Sequence, residues 1–321
     1  MVYNYVLEVK LMRAEKNTKK KRKWLRVTGI ILLVLFIGVG VYAYSVYKSL
    51  TNAVETMHHP IDRTKSDKRV EEVSLQNKQP FSVLLLGVDQ RKGDKGRSDT
   101  MIVLSVNPKL KSVKMLSIPR DTRTEIVGKG TEDKINHAYA FGNEEMAMNT
   151  VENFLGIPID YFVKVNMEGF KDIVDAVGGI TVDNDLDFSQ GGYHFPKGQV
   201  TLDGKKALAF TRMRHEDPRG DFGRQLRQRE IIQGVLREGA SLSSITKYQS
   251  IFAALGNNVR TNLTFDQMMD IQKNYRSAAG NVDQMSVKGS GTKINGIYYY
   301  IVPKTEKQRI QSELKTQLEM K

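Results

Sequence analysis

The chain has 321 residues and a formal net charge of +13, with 49 Lys and Arg against 36 Asp and Glu. That length allows one large domain or two small ones with a full core. There is no cysteine, which excludes a disulfide framework and cysteine-ligated zinc and leaves the chain indifferent to an oxidising compartment.

The positive charge is concentrated at the start. Residues 10–26 carry nine Lys or Arg and one Glu, and Met12 reads as a natural start. Val27 to Tyr47 then runs for 21 residues without a charge. As a helix rising about 1.5 Å per residue it reaches roughly 30 Å, the thickness of a bilayer core. Basic residues and Trp24 precede it, and Tyr42, Tyr44 and Tyr47 lie at its far end, the pattern of a single span with its N-terminus inside. A cleaved signal peptide is the alternative, although the span is long for one and Gly38 and Ala43 give only a weak cleavage signal. Residues 1–26 are thus expected as a cytoplasmic tail, 27–47 as a transmembrane helix and 48–80 as an extracytoplasmic stalk with a short helix from Tyr47 to Met57. Residues 81–303 form the folded domain, and 304–321 a charged tail, helical or unstructured. Topology explains the basic run without nucleic acid.

The domain opens with FSVLLLGVD, Phe81 to Asp89, a nearly continuous apolar run suited to a central strand buried on both faces. Asp89 closes it, where strand ends of open α/β sheets meet ligands. Thr100 to Val106 and Ser112 to Ile118 read as an antiparallel pair, after a charged Gly-rich loop from Gln90 to Asp99. Lys134 to Phe141 and Glu144 to Leu155 read as helical, Tyr161 to Asn166 as a strand, and Met167 to Val177 as a helix ended by Gly178-Gly179. Ile180 to Val182 is a strand, Gly191 to Gly198 a Gly-rich loop, and Gly204 to Thr211 a helix capped by Asp203. Helices follow over Arg224 to Glu238 (ended by Gly239), Ser241 to Leu255, and Phe265 to Arg276 with its Thr264 cap. Val282 to Val287 and Tyr298 to Val302 are closing strands. Strands and helices interleave, so the predicted class is α/β, a mixed central sheet covered by helices in an α-β-α arrangement.

The stretch Arg212 to Arg229, RMRHEDPRGDFGRQLRQR, holds six arginines against Glu216, Asp217 and Asp221. Pro218, Gly220 and Gly223 interrupt helix there, so the guanidiniums come from a helix end, a loop and a helix start. Such planar forks match phosphate bidentately; the competing reading is a solvated, salt-bridged loop. Asp89 and Asp99 close two strand ends and suit a hard divalent cation that also takes phosphate oxygens, or are ordinary turn aspartates. Arg120 in Ile118-Pro119-Arg120-Asp121 is aimed by its proline, or pairs on the surface with Asp121 or its neighbours. In KINHAY, Lys134 and Asn136 are better anion candidates than His137, because lone histidines more often pack or cap. No phosphate-loop, nucleophile-elbow or HExxH motif occurs.

Together GVDQR…RSDT, SIPRDT, DKINHAYAFG, NFLGIPIDYFVKVNMEGF, VGGITV and the arginine stretch closely resemble the LytR-CpsA-Psr family, over about Phe81 to Gly239. The resemblance implies an extracytoplasmic phosphotransferase of Gram-positive bacteria. Such an enzyme moves a teichoic-acid-type glycopolymer from an undecaprenyl-pyrophosphate carrier to the C6 hydroxyl of peptidoglycan N-acetylmuramic acid. It implies Mg²⁺ near Asp89 and Asp99, and pyrophosphate binding by Arg97, Arg120, Arg212, Arg214 and Arg224 with Gln228 beside them and Lys134 as a further match. Catalysis would fall to Asp99, Arg120, Arg212 and Arg214, and the polyprenyl tail would enter an apolar groove between sheet and helices. The rivals are a carrier-binding protein without chemistry, a carrier pyrophosphatase, and a DNA-binding regulator. The last has only about 26 cytoplasmic residues to work with and no helix-turn-helix in them.

Overall fold

The computed structural model describes residues 2–89, 96–241, 251 and 255–320. The chain divides into two compact units, Met1–Ser49 and Leu50–Lys321. The first belongs to helix α1 (Val2–Met57), whose Thr28–Met57 portion is long and apolar enough to cross a membrane. Leu33, Phe36 and Ile37 are exposed there, which water disfavours and a lipid surround would not.

The second unit is built on a six-stranded mixed sheet. Its strands are β1 (Phe81–Val88), β2 (Ser98–Asn107), β3 (Ser112–Ser117), β6 (Tyr161–Val165), β11 (Val259–Thr261) and β12 (Val282–Ser286), in the order β11-β6-β1-β2-β3-β12. β1 pairs antiparallel with β2 and parallel with β6, and β12 runs parallel to β3. β1 is buried on both faces, as its apolar run demands. Leu84, Leu86 and Val88 face one core, shared with Ala147, Met148 and Val151 of α2 (His137–Leu155) and with Ile310 and Leu314 of α7 (Lys304–Gln317). Phe81 and Val83 face the other, with Ile232 and Leu236 of α5 (Asp221–Ser241) and Met268 and Ile271 of α6 (Phe265–Tyr275). Each fully buried Leu or Phe contributes about 1.5–3 kcal/mol.

A satellite core backs the arginine stretch. It joins α3 (Met167–Ala176), α4 (Gly204–Arg212) and the pair β7 (Ile180–Asn184) and β10 (Gly198–Leu202). At its centre, Phe188, Phe195 and Phe210 stack with centroids 5.0–5.5 Å apart. Asp203 caps α4 by accepting from Lys206 N at 2.8 Å, and Thr264 opens α6 with a capping box.

Several expectations are corrected. Lys134 does not begin a helix: it ends β5 (Thr131–Lys134), which pairs with β4 (Arg123–Ile126), and α2 starts at His137 and kinks at Gly142-Asn143. The Gly-rich loop is a hairpin turn, since β8 (Phe188–Gln190) and β9 (Tyr193–Phe195) pair across Gly191-Gly192. α5 begins at Asp221, so Gly223 lies inside it, and it runs past Gly239. The predicted strand over Tyr298 to Val302 is β14 (Ile297–Ile301), which pairs with β13 (Ser290–Ile294) and not with the central sheet. From Leu50 onward the expected stalk packs on the domain: Val54 and Met57 meet Leu255 and Val259, Arg63 pairs with Glu152, and Arg69 with Asp160. Much of the helix expected from Ser241 to Leu255, and most of the loop from Gln90, lie outside the described residues.

Candidate active site

The site begins with a register fault. Gly87 pairs with Thr100 but Val88 pairs with Ser98, so Asp99 is the extra residue of a β-bulge. A bulge turns a side chain out of the ladder. The close approach needs Gly87, where a Cβ would lie 2.9 Å from that of Thr100. Thr100 in turn accepts a hydrogen bond from Gln228 Nε2 of α5 at 2.9 Å. Asp89 follows β1 directly, at the same end of the two strands as Asp99.

Around the bulge the cations gather. Arg120, two residues beyond Ile118, donates from Nη1 to Asp99 Oδ1 and stands 3.9 Å from Asp121 Oδ2. Burial opposes its charge, but the bond to Asp99 and the fields of Asp99, Asp221 and Asp121 outweigh that and raise its pKa. Arg224 Nη2 lies 2.7 Å from Asp221 Oδ1 and 3.5 Å from the Asp99 carbonyl oxygen. Arg214 Nε reaches the same Asp221 oxygen at 4.0 Å. Lys134 Nζ donates to Asp121 Oδ1 at 2.7 Å. Arg224 is largely buried; that burial lowers its pKa, and its Nε is a buried donor with no partner among the described residues. An unpaired buried donor costs about 1–3 kcal/mol, which an anion in the cluster would offset.

Arg120, Asp121, Arg214 and Asp221 also wall a cavity of about 310 Å³. Phe222, Tyr298 and Tyr300 form its aromatic side. The structure therefore brings together Asp99, Arg120, Lys134, Arg214 and Arg224, with Gln228 holding the strand behind them. Arg212 ends α4 and Arg97 precedes β2; both are exposed, and no hydrogen bond or ion pair among the described residues holds either. Asp121, Asp221 and the three aromatic residues were missed as site residues. Asp121 and Asp221 stand inside the arginine motifs themselves, and that adjacency was the available signal.

The other three arginines of the stretch have structural partners. Arg227 and Arg219 close on Asp217: Arg227 Nη1 donates to Oδ2 at 2.6 Å, and Arg219 Nε to Oδ1 at 2.9 Å. Burial alone would push the Asp217 carboxyl up, but the bonds from Arg219 and Arg227 hold it well below the usual range. Arg229, buried, donates to Ser117 Oγ and Gln284 Oε1, each at 3.0 Å, tying α5 to β3 and β12. His137 is held by Asp133, with its Nδ1 2.7 Å from Asp133 Oδ2.

The fold is a mixed α/β sheet with guanidiniums and carboxylates converging on one bulged strand end. The chain belongs to the LytR_cpsA_psr family, which matches residues 44–316. It is 56% identical over 308 residues to the polyisoprenyl-teichoic acid–peptidoglycan teichoic acid transferase TagU of Bacillus subtilis (strain 168), covering 96% of this chain and 100% of that one. The crystal structure of B. subtilis TagU superposes with a TM-score of 0.63, covering 76% of this chain and 99% of that one at 56% identity. The structure of TagT bound to LI-WTA gives 0.70 at 30% identity, covering 82% of this chain and all (100%) of that one. The chain is thus a homologue of a teichoic acid transferase over nearly all of its residues.

Proposed function

We propose that the chain transfers a teichoic-acid-type glycopolymer from an undecaprenyl-pyrophosphate carrier to the C6 hydroxyl of peptidoglycan N-acetylmuramic acid. The observation that carries the site assignment is the convergence of Arg120, Arg214 and Arg224 on one cluster with the Arg224 Nε donor buried and unpaired. The acceptor hydroxyl gives up its proton to solvent as its oxygen attacks the phosphorus that bears the sugar, the bond from that phosphorus to the bridging oxygen breaks, and polyprenyl phosphate leaves. Such a reaction asks chiefly for positioning and charge neutralisation. Arg120, Arg214 and Arg224 neutralise the pyrophosphate, the exposed Arg97 and Arg212 are further cations for it, and Lys134 holds Asp121 of the cavity wall. Arginine donors aimed at charge that grows in the transition state favour it over the ground state.

Asp89 and Asp99 fit Mg²⁺ by donor chemistry, because Mg²⁺ takes one or two carboxylates and completes its shell with phosphate oxygens and water. No group of three or more His, Cys, Asp or Glu able to hold a metal occurs among the described residues. When bound, the ion would supply additional charge on the phosphate oxygens.

The partly buried Ile232, Leu236, Met268 and Ile271, between α5, α6 and the sheet, suit the polyprenyl tail. The uncharged stretch of α1 from Val27 to Tyr47 serves as an uncleaved anchor with the N-terminus inside, keeping the domain near its lipid-borne donor. The test is to incubate the full chain with a defined lipid-pyrophosphate saccharide and peptidoglycan oligomers and to seek the joined product by mass. Release of phosphosaccharide without joining would favour the pyrophosphatase, and binding without turnover the carrier-binding protein.

A further inference from the structure

The aromatic side of the 310 Å³ cavity has no role in neutralising phosphate, yet it is built with care. In β13–β14, Gly291 pairs with Tyr300 and Lys293 with Tyr298. A Cβ on Gly291 would fall 2.5 Å from Tyr298 Oη and 2.7 Å from its Cε2, and one on Gly289 would fall 2.9 Å from Tyr300 Cε1. Both rings therefore lie across glycine backbone, seated where any side chain would lift them. Tyr300 is fixed further, with its hydroxyl donating to Val287 O at 3.2 Å and its ring 5.6 Å from that of Phe222. Tyr298 and Phe222 nevertheless remain 45% and 44% exposed, beside Arg120 and Arg214.

A pre-seated, half-exposed aromatic pair next to acids, an amide and guanidiniums matches one chemistry. A pyranose ring has an apolar face of C–H groups and a rim of hydroxyls. Phe222 and Tyr298 offer flat apolar surface to the first, while Asp121, Asp221 and Gln225 offer hydrogen-bonding groups to the second. A polyprenyl chain is excluded by the charged rim, and phosphate gains nothing from the rings. The volume lies near the lower end of ligand pockets, about 300 Å³, room for a short saccharide and not a polymer. We propose that Phe222, seated by Tyr300, and Tyr298, seated on Gly291 of β13, form a saccharide subsite that stacks a pyranose ring of the substrate beside the transferred phosphorus.

This rests on the transferase reading, and the test keeps the two separable. Affinities of the full chain in detergent are measured for the saccharide-bearing donor, for the unglycosylated polyprenyl pyrophosphate and for peptidoglycan oligomers. Tyr298→Ala should weaken one of the two saccharide ligands by roughly 10-fold and leave the unglycosylated carrier within about 2-fold. Tyr298→Phe should match wild type, since stacking needs the ring and not the hydroxyl. Gly291→Val, which lifts the ring without altering it, should reproduce Tyr298→Ala; if either fails to fold by thermal melting, Tyr298→Leu replaces it. Weakened oligomer binding assigns the subsite to the acceptor, and weakened donor binding to the sugar next to the pyrophosphate. Unchanged affinities, or an equal loss for the unglycosylated carrier, overturn the proposal. If the wild-type chain binds all three yet forms no joined product, the transferase reading falls while the binding comparison still decides the subsite.

Discussion

Replacing Asp217 by Asn keeps the shape of the side chain and removes the charge that two arginines share. Its carboxylate is fully buried, and Arg227 is 2% exposed at the side chain. Oδ2 accepts from Arg227 Nη1 at 2.6 Å and from Arg219 Nη2 at 3.0 Å, while Oδ1 accepts from the Arg219 amide and from Nε, each at 2.9 Å. An amide must turn its NH₂ toward one of these donors, which loses bonds and leaves a guanidinium buried without its counter-charge. Breaking a buried pair by removing one partner costs about 3–5 kcal/mol. For a domain of this size that lowers the melting temperature by roughly 6–20 °C. Circular dichroism melts of the full chain in detergent read it directly. Adding Arg227→Met to Asp217→Asn should recover a good part of the loss, because the orphaned charge is gone. The sign with pH also follows: a depressed carboxyl stabilises fully above the ordinary range and loses that contribution as pH falls through its folded value, so the gap between wild type and variant should close in acid. A variant melting within about 2 °C of wild type would refute the assignment of Arg219 and Arg227 to structure.

Three further outcomes are expected. Asp99→Asn should lower transfer at least ~100-fold, about 2.7 kcal/mol, with carrier affinity changed less than ~10-fold; equal losses in both would point to a holder without chemistry. Arg120→Ala and Arg214→Ala should each weaken carrier binding by about 1.5–3 kcal/mol without unfolding, and titration with polyprenyl pyrophosphate showing no change in either would remove them from the site. Burial, and next the charge of Asp185, raise the Glu230 carboxyl to about 7, so its contribution is present below the unfolded value and lost as pH rises through that range. Glu230→Gln should therefore gain on wild type in urea denaturation at higher pH, by on the order of 1–3 kcal/mol, and parallel pH profiles would contradict this.

The central strand, the caps at Asp203 and Thr264 and the mixed sheet were legible because each depends on local pattern or on neighbours in the chain. The division of labour among the arginines was not. Arg224 and Arg227 stand three residues apart on one helix, and only the position of Asp217, brought back by the loop before α5, makes one structural and leaves the other facing the site. The hairpins were missed although signals existed: Gly191-Gly192 is a two-residue turn between paired strands, and Gly128 and Gly130 mark the bend from β4 to β5. That hairpin is why Lys134 reaches Asp121 from a strand. In the sequence Tyr298 and Tyr300 show only as strand residues, since their seats on Gly291 and Gly289 depend on cross-strand register.

The parallel pairing of β12 with β3 has a consequence for how the protein comes into being. Val282 must find Val113 across the whole intervening chain, and Arg229 then bonds to Gln284 on that late strand. Contacts so distant in sequence form late, because closing a long loop costs entropy before any bond repays it. A nascent chain that has reached Arg229 already carries every arginine of the cluster. It still lacks the strand that anchors α5 at Gln284, so binding competence should appear in one late step and not accumulate as the chain lengthens.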